Sequence, residues 1–297
     1  MLQFCSTSDS STTVRISVVI PLFNRESTIG RCLKSVISQT VLPSEIIVVD
    51  DGSTDSSVRI VQEIIKNDVC MVLLVKNRFS KGANGARNTG IITSSSEWIM
   101  FLDSDDFWSL DKVREVGKLI GFSSPLNEFV VVDSPSRKLV ELSKERVLFQ
   151  EVFPCYNIYG GFSKITARRS IFNEIGMLDE SLMARQDLDF FIRLQGYSEV
   201  AIIQKQLTVI DDSGEDRITR NIDGKISSIQ ALVKKHYNSY SNTQKLLLQL
   251  HVMSLHIHYK KIRAIFIPIL ISRFLLSRGN HLKAIRTYYY YTHIEIK

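Results

Sequence analysis

Histidine is missing from the first 215 residues of this 297-residue chain; all six histidines, from His236 to His293, lie beyond them. Proton transfer in that larger part must use another base, and a carboxylate is the natural candidate. Cysteine is sparse too, with only Cys5, Cys32, Cys70 and Cys155. No two stand at CxxC spacing and no Cys/His group has zinc-ligand spacing, so free thiols in a reducing compartment are expected. The opening MLQFCSTSDSSTT has no basic residue and no apolar stretch. It reads as a flexible leader over 1–13 rather than a signal peptide. A long hydrophobic run is lacking as well. In the most apolar segment, Lys260–Arg278, the longest run without a polar residue is Ala264–Ile271, and Pro268 falls inside it. A spanning helix needs about 20 apolar residues, so a cytoplasmic protein is expected.

What is present is an ordinary globular composition, 44% hydrophobic and 23% charged. The net charge of +6 is unevenly distributed. Residues 216–297 carry 14 Lys/Arg against three acids, a net of +11, which leaves 1–215 at −5. A basic tail on a mildly acidic body is suited to an anionic partner.

Apolar runs alternate with helical patterns. Ile16–Ile20, Glu45–Asp50, Met71–Val75, Trp98–Asp103 and Phe129–Asp133 read as buried strands, the first ended by Pro21. Helices are expected from Ile29 to Thr40 with Ser27 as its cap, around Val58–Ile65, after Gly82, and from Ser109 to about Ile120 with Gly121 as its stop. Further on, Ala167–Ile175 and Asp187–Gln195 read as helices, 134–158 as irregular, and the chain from Lys225 onward as wholly helical, with an apolar stripe at Leu246, Leu250, Met253 and Ile257. The expected fold is α/β: a mostly parallel sheet with helices on both faces over 14–212, then a basic, mostly helical extension over 213–297.

In such sheets ligands gather beyond the carboxyl ends of the strands. The polar clusters fall at those ends: Pro21–Arg25, Asp50-Asp51 and Asp103-Ser104-Asp105-Asp106. Three carboxylates within four residues repel one another unless a cation lies between them. Mg²⁺ or Mn²⁺ would suit them, since both prefer oxygen ligands shared with substrate phosphates. The bland alternatives are a solvated acidic turn for the tetrad and a simple turn for Asp50-Asp51-Gly52.

Five motifs stand in order: Val18-Val-Ile-Pro-Leu-Phe-Asn24, Ser38-Gln-Thr40, Glu45-Ile-Ile-Val-Val-Asp-Asp-Gly-Ser-Thr-Asp55, Gly85-Ala-Arg-Asn-Thr-Gly90 and Phe101-Leu-Asp-Ser-Asp-Asp106. Together they resemble the family 2 glycosyltransferases of the GT-A (Rossmann-like) fold, over roughly 14–210. The resemblance implies inverting transfer of a sugar from a nucleotide-sugar donor, commonly a UDP-sugar. Pro21, Phe23 and Arg25 would line the nucleotide pocket, with Phe23 where the family often has Tyr. Asp51 would contact the base, Arg87 would sit near the nucleotide or its phosphates, and Asp103 would touch the ribose or sugar. Asp105 would bind the metal together with Asp103, with Asp106 a secondary candidate. Gln186-Asp187 resembles the family's Glu-Asp motif, which makes Asp187 the general base, with Gln186 replacing the usual Glu and Asp189 as an alternative base. Gly160-Gly161-Phe162 would shape the acceptor side.

The acceptor implied is a glycan or lipid-linked glycan of a surface polysaccharide, O-antigen or capsule. The basic segment 260–297 could rest on the inner face of an anionic membrane or only pack on the catalytic domain. Arg217-Ile-Thr-Arg220-Asn221 has the Arg spacing of processive members of the family but lacks their Trp, so single addition is expected. Two other readings are weaker. A metal-dependent nucleotidyltransferase acting on sugar phosphates would need a Gly-rich, basic phosphate loop after the first strand, and Pro21–Arg25 is not one. A nucleic-acid binder is disfavoured by the acidic body.

Overall fold

Four apolar segments form one half of a sheet in the computed structural model: β1 (Ile16–Leu22), β2 (Glu45–Asp50), β3 (Val72–Lys76) and β4 (Trp98–Phe101). They pair in parallel in the order β3-β2-β1-β4. The structure describes residues 14–67, 72–122, 129–133, 146–147, 159–195, 197–203, 205–211, 222–236 and 238.

β1 is buried along its whole length because helices cover both sheet faces. Val18 and Ile20 face one side, against Ile29, Cys32, Leu33 and Val36 of α1 (Ile29–Ile37), Val61 of α2 (Ser57–Asn67), and Val113 and Val116 of α4 (Lys112–Phe122). Val19 faces the other side, with Ile91 of α3 (Ala83–Thr93). The period-2 alternation of a strand thus divides two cores between consecutive residues.

β1 runs two residues past the expected stop, through Pro21. Val19 O accepts from Leu102 on the β4 flank, whereas Leu22 O accepts from Asp51 on the β2 flank. Pro21 points to the same flank as Val19, beyond the end of β4, so its missing N–H removes no ladder bond.

The other half of the sheet continues β4-β8-β6-β9-β7. It contains β6 (Phe129–Asp133), β7 (Arg146–Val147), β8 (Ile165–Arg168) and β9 (Glu199–Ile203), while β5 (Phe107–Trp108) and β10 (Thr208–Val209) form a separate antiparallel pair. β8 is antiparallel to both β4 and β6. This corrects the helix expected over Ala167–Ile175. Without β8 the facing edges of β4 and β6 would be unpaired, and only α5 (Ile171–Glu174) remains helical. Several boundaries also differ, two of them for reasons the backbone makes plain. Gly121 lies inside α4, since a glycine stops a helix by turning left-handed and Gly121 does not. Thr28, not Ser27, holds the cap position of α1, and the Arg25 carbonyl closes that turn by accepting from Thr28 and Ile29.

α6 (Gln186–Leu194) buries Leu188, Phe190 and Phe191 in the core beside α3. The basic extension contributes α7 (Ile222–His236), whose Ile229 and Leu232 join the same core. Among the described residues no helix is long and apolar enough to cross a membrane. The leader 1–13, most of 134–158, the Leu246–Ile257 stripe and the segment 260–297 lie outside the described residues.

Candidate active site

β1, β2 and β4 run side by side in one direction, so the segments that follow them share one edge of the sheet. Local hydrogen bonds lace these segments together. Asn24 adopts a left-handed backbone (φ 48°), which Asn tolerates better than most residues. Its N–H donates to Ser53 Oγ at 3.1 Å and its Oδ1 accepts from Thr54 N–H at 2.8 Å. Arg25 N–H donates to Ser57 Oγ at 2.7 Å. The end of β1 is thereby fixed against the start of α2.

Asp51 organises the next loop. Its carboxylate accepts from Asn77 Nδ2 at 2.6 Å and from Gly82 N–H at 2.8 Å. These bonds hold the 77–82 segment and the entry to α3, while a carboxylate has further lone-pair sites available. Phe23 is 39% exposed, and the Lys81 ammonium lies 4.4 Å from its ring centroid. Pro21 is buried within β1, two residues before that ring.

The acids after β4 occupy three environments. Asp103 Oδ1 accepts from Arg87 Nη2 at 2.6 Å, with the Asp103 side chain 32% exposed. Asp105 is a quarter exposed and its Oδ2 stands 4.0 Å from Arg25 Nε. Asp106 turns inward, accepting from Ser163 Oγ at 2.5 Å and from Asp211 N–H at 3.1 Å. Burial, and then the Asp103 charge, push Asp106 up to about 7, with Ser163 opposing. The expected mutual repulsion is therefore still felt at Asp106, while Asp103 and Asp105 each face an arginine. Among the described residues no three His, Cys, Asp or Glu side chains form a metal-binding group.

Arg87 is buried to 4% exposure and stacks 4.2 Å from the Phe162 ring centroid. Besides Asp103, it donates from Nη1 to Asn84 Oδ1 at 3.1 Å and to Gln186 Oε1 at 2.9 Å. Gln186 is the first residue of α6 and Asp187 the second, so this contact brings the α6 end to the strand-end acids. Asp187 is half-buried and accepts from Leu188 N–H.

Asp189 belongs elsewhere, which corrects its standing as an alternative base. It is 1% exposed and pairs with Arg193 Nε at 2.9 Å, Lys235 Nζ at 2.9 Å and His236 Nε2 at 2.8 Å. Burial alone would raise its pKa, but the His236 hydrogen bond and the Arg193 and Lys235 charges hold it at about 2. It anchors α7 to α6.

Sequence reasoning missed several supports. Ser163 takes the Asp103 N–H on its Oγ and offers its carbonyl to Trp108 Nε1, Lys112 Nζ and Thr208 Oγ1. Lys112, fully buried, pairs with Asp133. Asp211 pairs with Arg31, which also donates to Asp105 O at 3.1 Å. None carries a local signal: each partner lies more than 20 residues away.

A model of the glycosyl transferase family 2 matches residues 17–164. An uncharacterized glycosyltransferase of Haemophilus influenzae is 30% identical over 192 residues, 60% of this chain and 61% of that protein. The Escherichia coli UDP-Glc:alpha-D-GlcNAc-diphosphoundecaprenol beta-1,3-glucosyltransferase WfaP is 38% identical over 98 residues, 33% of this chain and 38% of that protein. The chain thus spans less than two thirds of either relative. Among solved structures, S. aureus TarS 1-349 in complex with UDP-GlcNAc aligns with a TM-score of 0.63 at 17% identity, over 88% of this chain and 80% of that one. The mannosyltransferase PcManGT from Pyrobaculum calidifontis, in complex with GDP-Man and Mn²⁺, aligns at 0.60 and 16%, over 96% and 82%. These likenesses share the fold.

Proposed function

The chain belongs to the family 2 glycosyltransferases, and from that premise we propose that it transfers one sugar, with inversion, from a UDP-sugar to a hydroxyl of a lipid-linked glycan. The observation that supports this reading is that Phe23, Arg25, Asp51, Asp103 and Asp105 follow three neighbouring parallel strands on one edge of the sheet, with Arg25 4.0 Å from Asp105 and Arg87 joining Asp103 to Gln186, the neighbour of Asp187. The acceptor class rests on the printed name of the Escherichia coli relative, which acts on a diphosphoundecaprenol-linked sugar. In the nucleotidyltransferase alternative, the loop after β1 would cradle a phosphate. Here that loop is Phe23-Asn24-Arg25, laced to Ser53 and Ser57, and nothing favours the alternative.

In the proposed reaction, Phe23 offers a ring face to the base, and the open lone pairs of Asp51 suit an imide N–H. Arg25 offers its positive charge to the diphosphate. Asp187 takes the proton of the acceptor hydroxyl. The freed oxygen lone pair forms the new bond to the anomeric carbon as the bond to the β-phosphate oxygen breaks, its electron pair leaving with the nucleoside diphosphate.

A divalent cation fits the residues present. Asp103 and Asp105, both partly exposed, would hold it through carboxylate oxygens, and Mg²⁺ or Mn²⁺ is commonly bound by one or two carboxylates plus substrate phosphates. When bound, such a cation supplies Lewis-acid stabilisation of the leaving diphosphate.

A panel of UDP-, GDP- and dTDP-sugars, assayed for transfer to a lipid-diphosphate-linked GlcNAc, tests the reading. Transfer from a UDP-sugar that stops in EDTA and returns with Mn²⁺ or Mg²⁺ is expected. Transfer from none of the donors would defeat it, and undiminished transfer in EDTA would remove the metal from the account.

A further inference from the structure

Two nitrogens of the Arg87 guanidinium reach three separate parts of the molecule. Nη2 meets Asp103 at the end of β4, while Nη1 meets both Asn84, one turn back on α3, and Gln186, the first residue of α6. The guanidinium is packed on the Phe162 ring and almost wholly removed from water. A side chain held by two hydrogen bonds from one nitrogen, an ion pair from the other and an aromatic face has little freedom left. Planar, charge-assisted bonds of this kind fix geometry as well as supply energy.

Gln186 closes the chain of contacts. Its Oε1 accepts from Arg87 and its Nε2 donates to Leu182 O at 2.8 Å. The residue before it, Arg185, has a left-handed backbone (φ 59°), uncommon for a side chain of this kind. The entry to α6 is therefore held in one arrangement at some backbone cost, and the amide of Gln186 is the clamp that ties this entry to the donor side. Among the described residues Asp103 is the one carboxylate paired with Arg87.

We infer that Arg87 and Gln186 form an internal strut that sets the start of the Asp187 helix against the Asp103 end of β4, making Gln186 a positioning residue. It acts through Asp187 and touches no reacting atom. The inference rests on the proposed transfer reaction for its kinetic consequence, but the strut itself is a property of the fold.

Three variants decide it. Gln186→Ala removes both amide bonds. Gln186→Glu keeps an acceptor for Arg87. Asp103→Asn removes the charge at the far end of the strut. In the transfer assay above, Gln186→Ala should lower kcat about tenfold to a hundredfold, the scale of a misplacement near 1 Å, with the donor KM within twofold. Gln186→Glu should recover kcat to within a few-fold. Unchanged kcat in Gln186→Ala, or a loss confined to donor KM, would overturn the positioning role.

The second readout needs no activity. Hydrogen–deuterium exchange of the 182–190 amides should quicken several-fold in Gln186→Ala and also in Asp103→Asn, because the perturbation is relayed through Arg87. Exchange that stays at the wild-type rate in both variants would dismiss the strut. If the wild-type chain transfers no sugar, the proposed reaction falls, and the exchange experiment still decides the strut.

Discussion

Asp103, Asp105, Asp106 and Asp187 are all aspartates, yet each meets a different environment. Asp103 faces a buried guanidinium, Asp105 the Arg25 side chain at 4.0 Å, and Asp106 a serine hydroxyl and a backbone N–H. Asp187 lies half-buried at the start of α6. Replacing it by Asn keeps the shape and removes the proposed proton acceptor. Asp187→Asn is expected to retain nucleotide-sugar binding, read as thermal stabilisation by the donor, and to lose turnover by at least about a hundredfold, the lower range for a general base. Near-normal turnover would move the base elsewhere. The strand-end acids were legible in the sequence because each follows directly on an apolar run. The Arg87–Gln186 contact was not, because it joins residues 99 apart and no local pattern reports such a pairing.

At the scale of elements, the parallel strands and the helices between them were readable because burial on both sheet faces writes continuous apolar runs. β8 was misread: its four residues carry too little pattern to separate a strand from a helix turn, and its identity is decided by the two edges it joins. The contact between α6 and α7 is a second long-range feature, and it can be tested by pH. Asp189 is held at about 2, below the ordinary 3.8, so its pairs stabilise the folded chain fully above the unfolded value. That contribution is lost as pH falls from about 4 toward 2. Asp189→Asn should therefore unfold in less urea than wild type at pH 7, by about 2 kcal/mol, with the gap shrinking as pH drops below 4. A gap independent of pH would assign the effect to packing. α3 offers a steric test. A Cβ at Gly90 would overlap the Val19 side chain of β1, so Gly90→Ala should cost about 1–3 kcal/mol by overpacking, measured by denaturant unfolding.

Over the whole molecule, charge is divided between a body that is net acidic and an extension, 216–297, with a net of +11. α7 shows how the start of that extension is used: Lys235 and His236 are turned onto Asp179 and Asp189 of the body. The Lys235 charge, bound in this way, is compensated and attracts little else. The remaining basic residues exceed the acids of the extension by a wide margin, and each Lys or Arg near an anionic leaflet is worth about 1 kcal/mol. An enzyme whose acceptor is held in a lipid bilayer gains from staying at that surface, because the encounter then takes place in two dimensions. The intact chain is accordingly expected to sediment with vesicles containing anionic lipid at low ionic strength, to ignore vesicles of neutral lipid, and to be released as salt shortens the screening length from about 30 Å at 0.01 M toward 8 Å at physiological strength. Binding that survives high salt would point to apolar insertion instead. No binding to anionic vesicles at low salt would mean that the positive charge of the extension is compensated within the protein, as it is at Lys235.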